Sequence, residues 1–159
     1  MEKTVYIETT IPSFYHEIRP EPEMIARRNW TRQWWENDRL FYELYTSEAV
    51  LEELDAGDYP IKAEVLEFVS DLAILEVNDD IQAIVEVYLK NYLMPQQRLG
   101  DALHLALASY YKCDFLLTWN CVHIANANKS LHIKIVNERL GLFTPTIVTP
   151  MELTGEDKE

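Results

Sequence analysis

Asp101 and His104 stand one helical turn apart in the run Gly100-Asp101-Ala102-Leu103-His104-Leu105-Ala106-Leu107-Ala108, a segment apolar almost all round. Such a helix is normally buried, so a carboxylate in it needs a partner. The next apolar run, Phe115-Leu116-Leu117-Thr118-Trp119, ends on polar Asn120. In an open α/β sheet ligands bind at the carboxyl ends of strands, so these polar groups would meet over one crevice. Glu8 follows a short strand-like run, Thr4-Val5-Tyr6-Ile7, and Glu53, or its neighbour Glu52, lies in the helix after a second strand. Hard divalent cations such as Mg²⁺ (or Mn²⁺) are held by one or two carboxylates with water and substrate phosphate, so this set needs no histidine or cysteine. Without a cation the carboxylates would repel one another and raise one another's pKa.

The elements that must position these groups follow from periodicity and breakers. Residues 4–7 predict a strand, followed by a polar turn and a helix with Pro12 in its first turn. Residues 24–38 predict a helix that carries Arg27, Arg28, Arg32, Trp30, Trp34 and Trp35. A second strand is expected over 40–46, then a helix capped by Thr46 or Ser47, running through Leu54 and stopped by Gly57. Pro60 opens a helix over 64–70, residues 72–77 read as a strand, and Asp79 caps a helix through Tyr92 that Pro95 ends. The central helix covers 99–111, a strand 114–119, and two short strands are expected at 134–136 and 146–148. Strands separated by helical segments of this length argue for parallel pairing through right-handed crossovers, an α/β class. With no linker rich in Pro, Gly or Ser, one domain is expected over 1–154, and 155–159 read as a frayed polar end.

Composition narrows the function classes. Hydrophobic content of 48% with four glycines and seven prolines is that of a compact chain. Cys113 and Cys121 are too few for a disulfide framework and form no CxxC pair, which fits a reducing cytoplasm. The opening run Met-Glu-Lys-Thr-Val-Tyr-Ile-Glu has a carboxylate where a signal peptide would need a continuous apolar core, and no apolar run approaches the ~20 residues of a membrane span. The net charge of −13 opposes long-range attraction to nucleic acid and counts against a simple DNA-binding domain. A nuclease remains compatible, because bound cations and a local basic patch offset the mean charge.

Each residue also has a plainer reading. Glu8 can be a solvated strand end, or a carboxylate placed favourably before a helix N-terminus. Five acids fall between Glu48 and Asp58, so any of them can belong to a solvated helix face; Glu53 lies at i+3 from Val50, beside the apolar stripe, and Glu52 points further round. Asp101 can cap its helix, His104 can be a hydrogen-bonded residue that supports a ligand, and Asn120 can bond its own turn.

In order along the chain, four segments resemble the PIN domain family and, within it, the VapC-like toxins of toxin–antitoxin pairs. They are Val5-Tyr6-Ile7-Glu8-Thr9-Thr10-Ile11-Pro12-Ser13; Thr46-Ser47-Glu48-Ala49-Val50-Leu51-Glu52-Glu53-Leu54 with Gly57-Asp58; Asp101 to Ala108; and Leu116-Leu117-Thr118-Trp119-Asn120 with His123-Ile124-Ala125-Asn126. The late Thr149-Pro150-Met151-Glu152-Leu153 is similar to the family's closing segment. The resemblance implies a three-layer α/β/α sandwich around a mainly parallel sheet, and an acidic site that binds Mg²⁺ or Mn²⁺ and cuts RNA. It places Glu8 where the family has the first-strand Asp, Glu53 at the helical Glu, Asp101 at the third acid and Asn120 near a fourth position that is commonly Asp. Glu8 and Asn120 depart from that pattern in a way that suggests a variant subgroup.

On this reading Glu8, Asp101 and Glu53 are the metal set, with Glu53 as outer ligand or general base, and Thr9 and Asn120 orient water or phosphate. Arg27, Arg28 and Arg32 with the neighbouring tryptophans would hold a single-stranded RNA backbone; the plain alternative is an amphipathic helix that buries tryptophan against the core or a partner. The implied partners are RNA, a cognate antitoxin protein and a second copy of the chain. A different class, a PIN-like module that binds RNA or protein without cutting, would be marked by loss of Asp101 or Glu53, which are both present. A phosphatase-like hydrolase is disfavoured because no Asp-x-Asp motif follows the first strand.

Overall fold

The structure, a computed structural model, describes residues 2–154. The expected polar end at 155–159 lies outside the described residues. Five strands form one sheet in the order β3-β2-β1-β4-β5: β1 (Lys3–Ile7), β2 (Tyr42–Ser47), β3 (Ala73–Leu75), β4 (Phe115–Leu117) and β5 (Thr146–Val148). Every pairing is parallel, with Val5 opposite both Leu44 and Phe115, and Ile7 opposite Leu117. The α/β class and the parallel sheet are therefore as expected.

Alternation along β1 sends neighbouring side chains to opposite faces, and the molecule has a core on each. Tyr6 joins Val50, Leu54, Val85, Tyr88, Leu105 and Leu116 on one face, under α3 (Glu48–Asp55), α5 (Asp79–Lys90) and α6 (Leu99–Tyr110). Val5 and Ile7 join Ile11, Phe14, Trp34, Trp35, Leu117 and Trp119 on the other, under α1 (Thr10–Tyr15) and α2 (Pro22–Glu36). Helices thus cover both faces, the three-layer sandwich expected. Trp34 is wholly buried and stacks on Tyr42, and Trp35 stacks on Phe68 with ring centroids 4.1 Å apart. Each such ring removes on the order of 150–250 Å² from water, so two of the three α2 tryptophans are explained by packing.

Four expectations are corrected. Residues 134–136 are no strand: they lie within α7 (Ser130–Leu140), whose buried face is Ile133, Val136 and Asn137 and which ends at left-handed Gly141 (φ 70°). The β-branched pair Ile135-Val136 favours a strand locally, but the i, i+3, i+4 spacing of the buried face decides for a helix. Asn78, in extended backbone, caps α5 by accepting the Ile81 N–H at 2.9 Å, and Asp79 is already its first helical residue. The second strand begins at Tyr42, because Asp38–Phe41 forms a 3₁₀ turn that leaves Leu40 exposed. The fourth strand stops at Leu117, so Asn120 belongs to the turn beyond it. The remaining helix, α4 (Lys62–Val69), packs Val65 and Val69 into the first core.

Candidate functional site

β1 is the strand where the order reverses: β2 and β3 follow on one side, β4 and β5 on the other. At such a switch point the loops leaving neighbouring strands diverge and open a crevice at their carboxyl ends. Glu8 is the residue immediately after β1, and its N–H donates to the Leu117 carbonyl at 3.2 Å, which ties it to the end of β4. Its side chain is only 3% exposed. Oε1 accepts from the Thr10 N–H at 3.1 Å, from the Thr10 hydroxyl and from the Thr118 hydroxyl at 2.6 Å; all three bonds fall on this oxygen, and Oε2 takes none. Two threonines, one after each strand, thus hold a buried carboxylate with one oxygen committed and the other available.

Glu53 reaches the same crevice from α3. Ser47 caps that helix by accepting the Val50 N–H at 3.2 Å, which sets the register that turns Glu53 toward α6. His104 Nε2 lies 2.6 Å from Glu53 Oε1. Of the two neighbouring acids, Glu53 is the one that meets His104. Gly100 allows the approach, since a Cβ there would stand 3.2 Å from Glu53 Oε1.

His104 is buried, with Nδ1 2.7 Å from the Tyr6 hydroxyl and Nε2 3.4 Å from the Thr9 hydroxyl. The Tyr6 hydroxyl shares a further 2.7 Å hydrogen bond with Ser47 Oγ. Burial alone would disfavour an imidazolium here, but the Glu53 hydrogen bond and the charges of Glu8, Glu53 and Asp101 outweigh it and raise the His104 pKa. Burial likewise opposes the Glu53 carboxylate, yet the bond to His104, that charge and Thr9 leave its pKa lowered. Burial pushes the Tyr6 hydroxyl well above its ordinary range, so it remains neutral.

Asp101 sits in the first turn of α6. Its Oδ2 is buried without a hydrogen-bond partner, and the nearest cation is Arg98, whose Nε is 3.9 Å away, beyond hydrogen-bond reach. Lys129 feels its charge: burial lowers the lysine pKa and Asp101 opposes that. Among the described residues, Glu8, Glu53 and His104 present ligand-type atoms within 4.8 Å of one another, and Asp101 lies outside that set. A half-committed buried carboxylate, a second carboxylate and an orphaned buried aspartate oxygen nearby are the donor chemistry of a divalent cation, so these residues fit one.

Asn120 does not join them. Its Oδ1 accepts the His123 N–H at 3.0 Å and its carbonyl accepts from Ala125 at 2.7 Å, so the side chain closes its own turn. Thr9 does border the site, and with Ser13, His16, Glu17, Glu53 and Tyr59 it lines a cleft of about 340 Å³. The three arginines lie elsewhere. Arg27 donates to the Trp119 carbonyl at 3.4 Å, pairs with Glu23 at 2.9 Å and lies over the rings of Phe14 and Trp119. Arg32 donates to the Tyr15 carbonyl at 2.8 Å, and among the described residues Arg28 bonds its neighbour Asn29, at 3.5 Å. Sequence reasoning missed Tyr6, Ser47, Thr10 and Thr118, which hold the charged groups. A tyrosine in the aliphatic strand of β1, and hydroxyls beside each charged group, were the signals for them.

No family model matches the chain, and no curated protein does either. Several solved chains are similar to it, among them chains of two toxin–antitoxin complexes. A toxin–antitoxin complex from Klebsiella pneumoniae contains a chain with 18% identity and a TM-score of 0.55, the match covering 92% of this chain and 97% of that one. VapBC2 from Rickettsia felis, bound to a DNA fragment from its promoter, contains one with 15% identity and a TM-score of 0.51, covering 92% and 98%. The likeness extends over nearly the whole of each chain at identities where only architecture is informative. The chain therefore has the PIN-like α/β/α fold of these toxin–antitoxin proteins.

Proposed function

We propose that this chain is a divalent-cation-dependent endoribonuclease of the PIN family and the toxin of a type II toxin–antitoxin pair, acting in the cytoplasm. The observation that carries the reading is the gathering of Glu8, Glu53 and His104 within 4.8 Å at the switch point of the sheet, with Asp101 one turn away. The toxin–antitoxin complexes among the similar structures support an antitoxin as partner.

Glu8, Glu53 and Asp101 are the residues to hold Mg²⁺ or Mn²⁺, which supplies Lewis acidity and offsets the charge that builds on a phosphate under attack. Glu53, half-exposed on the cleft wall, is placed to take a proton from an attacking water, and its bond to His104 keeps it ionised. The Thr9 hydroxyl orients water or phosphate at the same wall.

Asn120 favours a second reading, a PIN-like module that binds RNA or a protein partner without cutting. Its amide oxygen is spent on the turn, so the fourth position adds no charge. One experiment separates the two. Purified protein is incubated with single-stranded and structured RNA in Mg²⁺, Mn²⁺ or EDTA, alongside Asp101→Ala. The nuclease reading expects cleavage that needs metal and is lost in the variant. Cleavage that persists in EDTA or in Asp101→Ala overturns it, and RNA binding without cleavage leaves the binding module.

A further inference from the structure

We propose that His104 is itself a metal ligand through Nε2. The site is then a set of two carboxylates and one imidazole, Glu8, Glu53 and His104, which prefers Mn²⁺ and later first-row cations to Mg²⁺. The inference rests on the reading that this crevice binds a cation, and it departs from the all-oxygen set expected above.

The geometry singles out this nitrogen. A ring nitrogen of His104 and carboxylate oxygens of Glu8 and Glu53 all lie within 4.8 Å of one another, with Asp101 not in the set, and Nε2 is the nitrogen that stands 2.6 Å from Glu53 Oε1. A ligating histidine has its second ring nitrogen tied to an acceptor that fixes the tautomer and the ring. Here Nδ1 meets the Tyr6 hydroxyl at 2.7 Å, Tyr6 meets Ser47 Oγ at 2.7 Å, and Ser47 Oγ is anchored by the Val50 N–H at the start of α3. With Nδ1–H donating to Tyr6 and Tyr6 O–H donating to Ser47, the second nitrogen is held in place, and Nε2 offers its lone pair once the proton it shares with Glu53 has left.

Nε2 and Glu53 Oε1, 2.6 Å apart, share a proton in the free protein. A cation held by the same two residues would displace that proton to solvent. Glu8 contributes Oε2, because Thr10 and Thr118 already saturate Oε1. Glu53 has the freedom to close on an ion, its side chain being 41% exposed, whereas Glu8 and His104 are fixed by burial. An imidazole in the set shifts preference away from Mg²⁺, which favours oxygen and dehydrates reluctantly, toward Mn²⁺, Co²⁺ and Zn²⁺. Asp101 then acts on water or substrate and does not hold the ion directly.

The test is metal binding by the full chain after chelator stripping. Calorimetric titrations with Mn²⁺ and with Mg²⁺ are combined with pulsed electron paramagnetic resonance of the Mn²⁺ form, which detects directly coordinated imidazole nitrogen. The expected result is Mn²⁺ binding at least about 10-fold tighter than Mg²⁺, with a ¹⁴N coupling. The coupling is lost in His104→Gln and kept in His16→Gln and Tyr6→Phe, the last with weaker affinity. Bound Mn²⁺ without ¹⁴N coupling in the unaltered protein overturns the proposal, as does a His104→Gln protein with unchanged Mn²⁺ and Mg²⁺ affinities. If His104→Gln does not fold, the coupling in the unaltered protein decides. The ¹⁴N coupling in a protein that cuts no RNA would sink the nuclease reading and leave this one standing; absence of any cation binding sinks both.

Discussion

Thr118 donates its hydroxyl to Glu8 Oε1 at 2.6 Å, across 110 residues of sequence and the junction of β1 with β4. The contact makes a testable demand, since Glu8 is 3% exposed and depends on hydroxyls for its solvation. Thr118→Val keeps the shape and removes the donor. It should destabilise the fold by about 1–3 kcal/mol in urea unfolding and weaken divalent-cation affinity about 10–100-fold by calorimetry.

The His104–Glu53 pair predicts a pH window for the cation-free protein. The His104 pKa is raised on folding, so its contribution is complete below its ordinary value and is lost as pH climbs through the raised one. The Glu53 pKa is lowered, so its contribution is present above its ordinary value and is lost as pH falls through the lowered one. Unfolding midpoints in EDTA should peak between the two and fall on either side. Glu53→Gln should move the His104 resonance titration in NMR to lower pH; an unchanged titration would contradict the pairing.

Asp101 should show opposed effects on stability and activity. Its Oδ2 is buried without a hydrogen bond and the Arg98 Nε stands 3.9 Å away, so Asp101→Asn removes a charge that the cation-free fold offsets only at a distance. The variant is expected to unfold at equal or higher temperature, by up to about 1 kcal/mol, while RNA cleavage falls by about 100-fold or more. Paired melting curves and cleavage assays check this.

The arginines of α2 should separate. Arg27 covers Phe14 and Trp119 and bonds the Trp119 carbonyl, so Arg27→Ala should cost about 1–2 kcal/mol. Arg28→Ala, with a single long bond to Asn29, should change stability by less than about 0.5 kcal/mol. If α2 holds RNA, the cost of Arg28→Ala appears as weaker RNA binding in low salt. Binding equal to the unaltered protein's removes α2 from the RNA path.

The thiols offer a quick check of packing. Cys113 is buried, and burial with the nearby Asp114 charge pushes its pKa up to about 12, whereas Cys121 is exposed. Iodoacetamide at neutral pH should label Cys121 in the native protein and both after unfolding, read by mass spectrometry.

The dense apolar runs of β1 and α6 made those elements legible, because burial on all sides leaves little choice of structure. α7 was misread: Ile135 and Val136 speak for a strand over three residues, and only the wider spacing from Ile133 to Asn137 shows the helical face. The carboxylates were legible because a charge in or beside an apolar run is costly wherever it stands. Tyr6 and Ser47 were not, since a tyrosine in a strand and a serine before a helix have ordinary uses as core and cap. Their shared hydrogen bond exists only because β2 runs parallel beside β1, with Tyr45 opposite Tyr6 and Ser47 two residues further along the same face.

β1 lies between β2 and β4, and the second of those neighbours is about 110 residues further along the chain. Closing so long a loop costs entropy that local contacts cannot repay, so docking of β4 is the natural late step of folding. A ribosome that has already released the first strand and α3 still holds the stretch that must supply Thr118 and His104. The crevice is completed only as the last third of the chain emerges, and a truncated product would carry the acids of the site without the neighbours that arrange them.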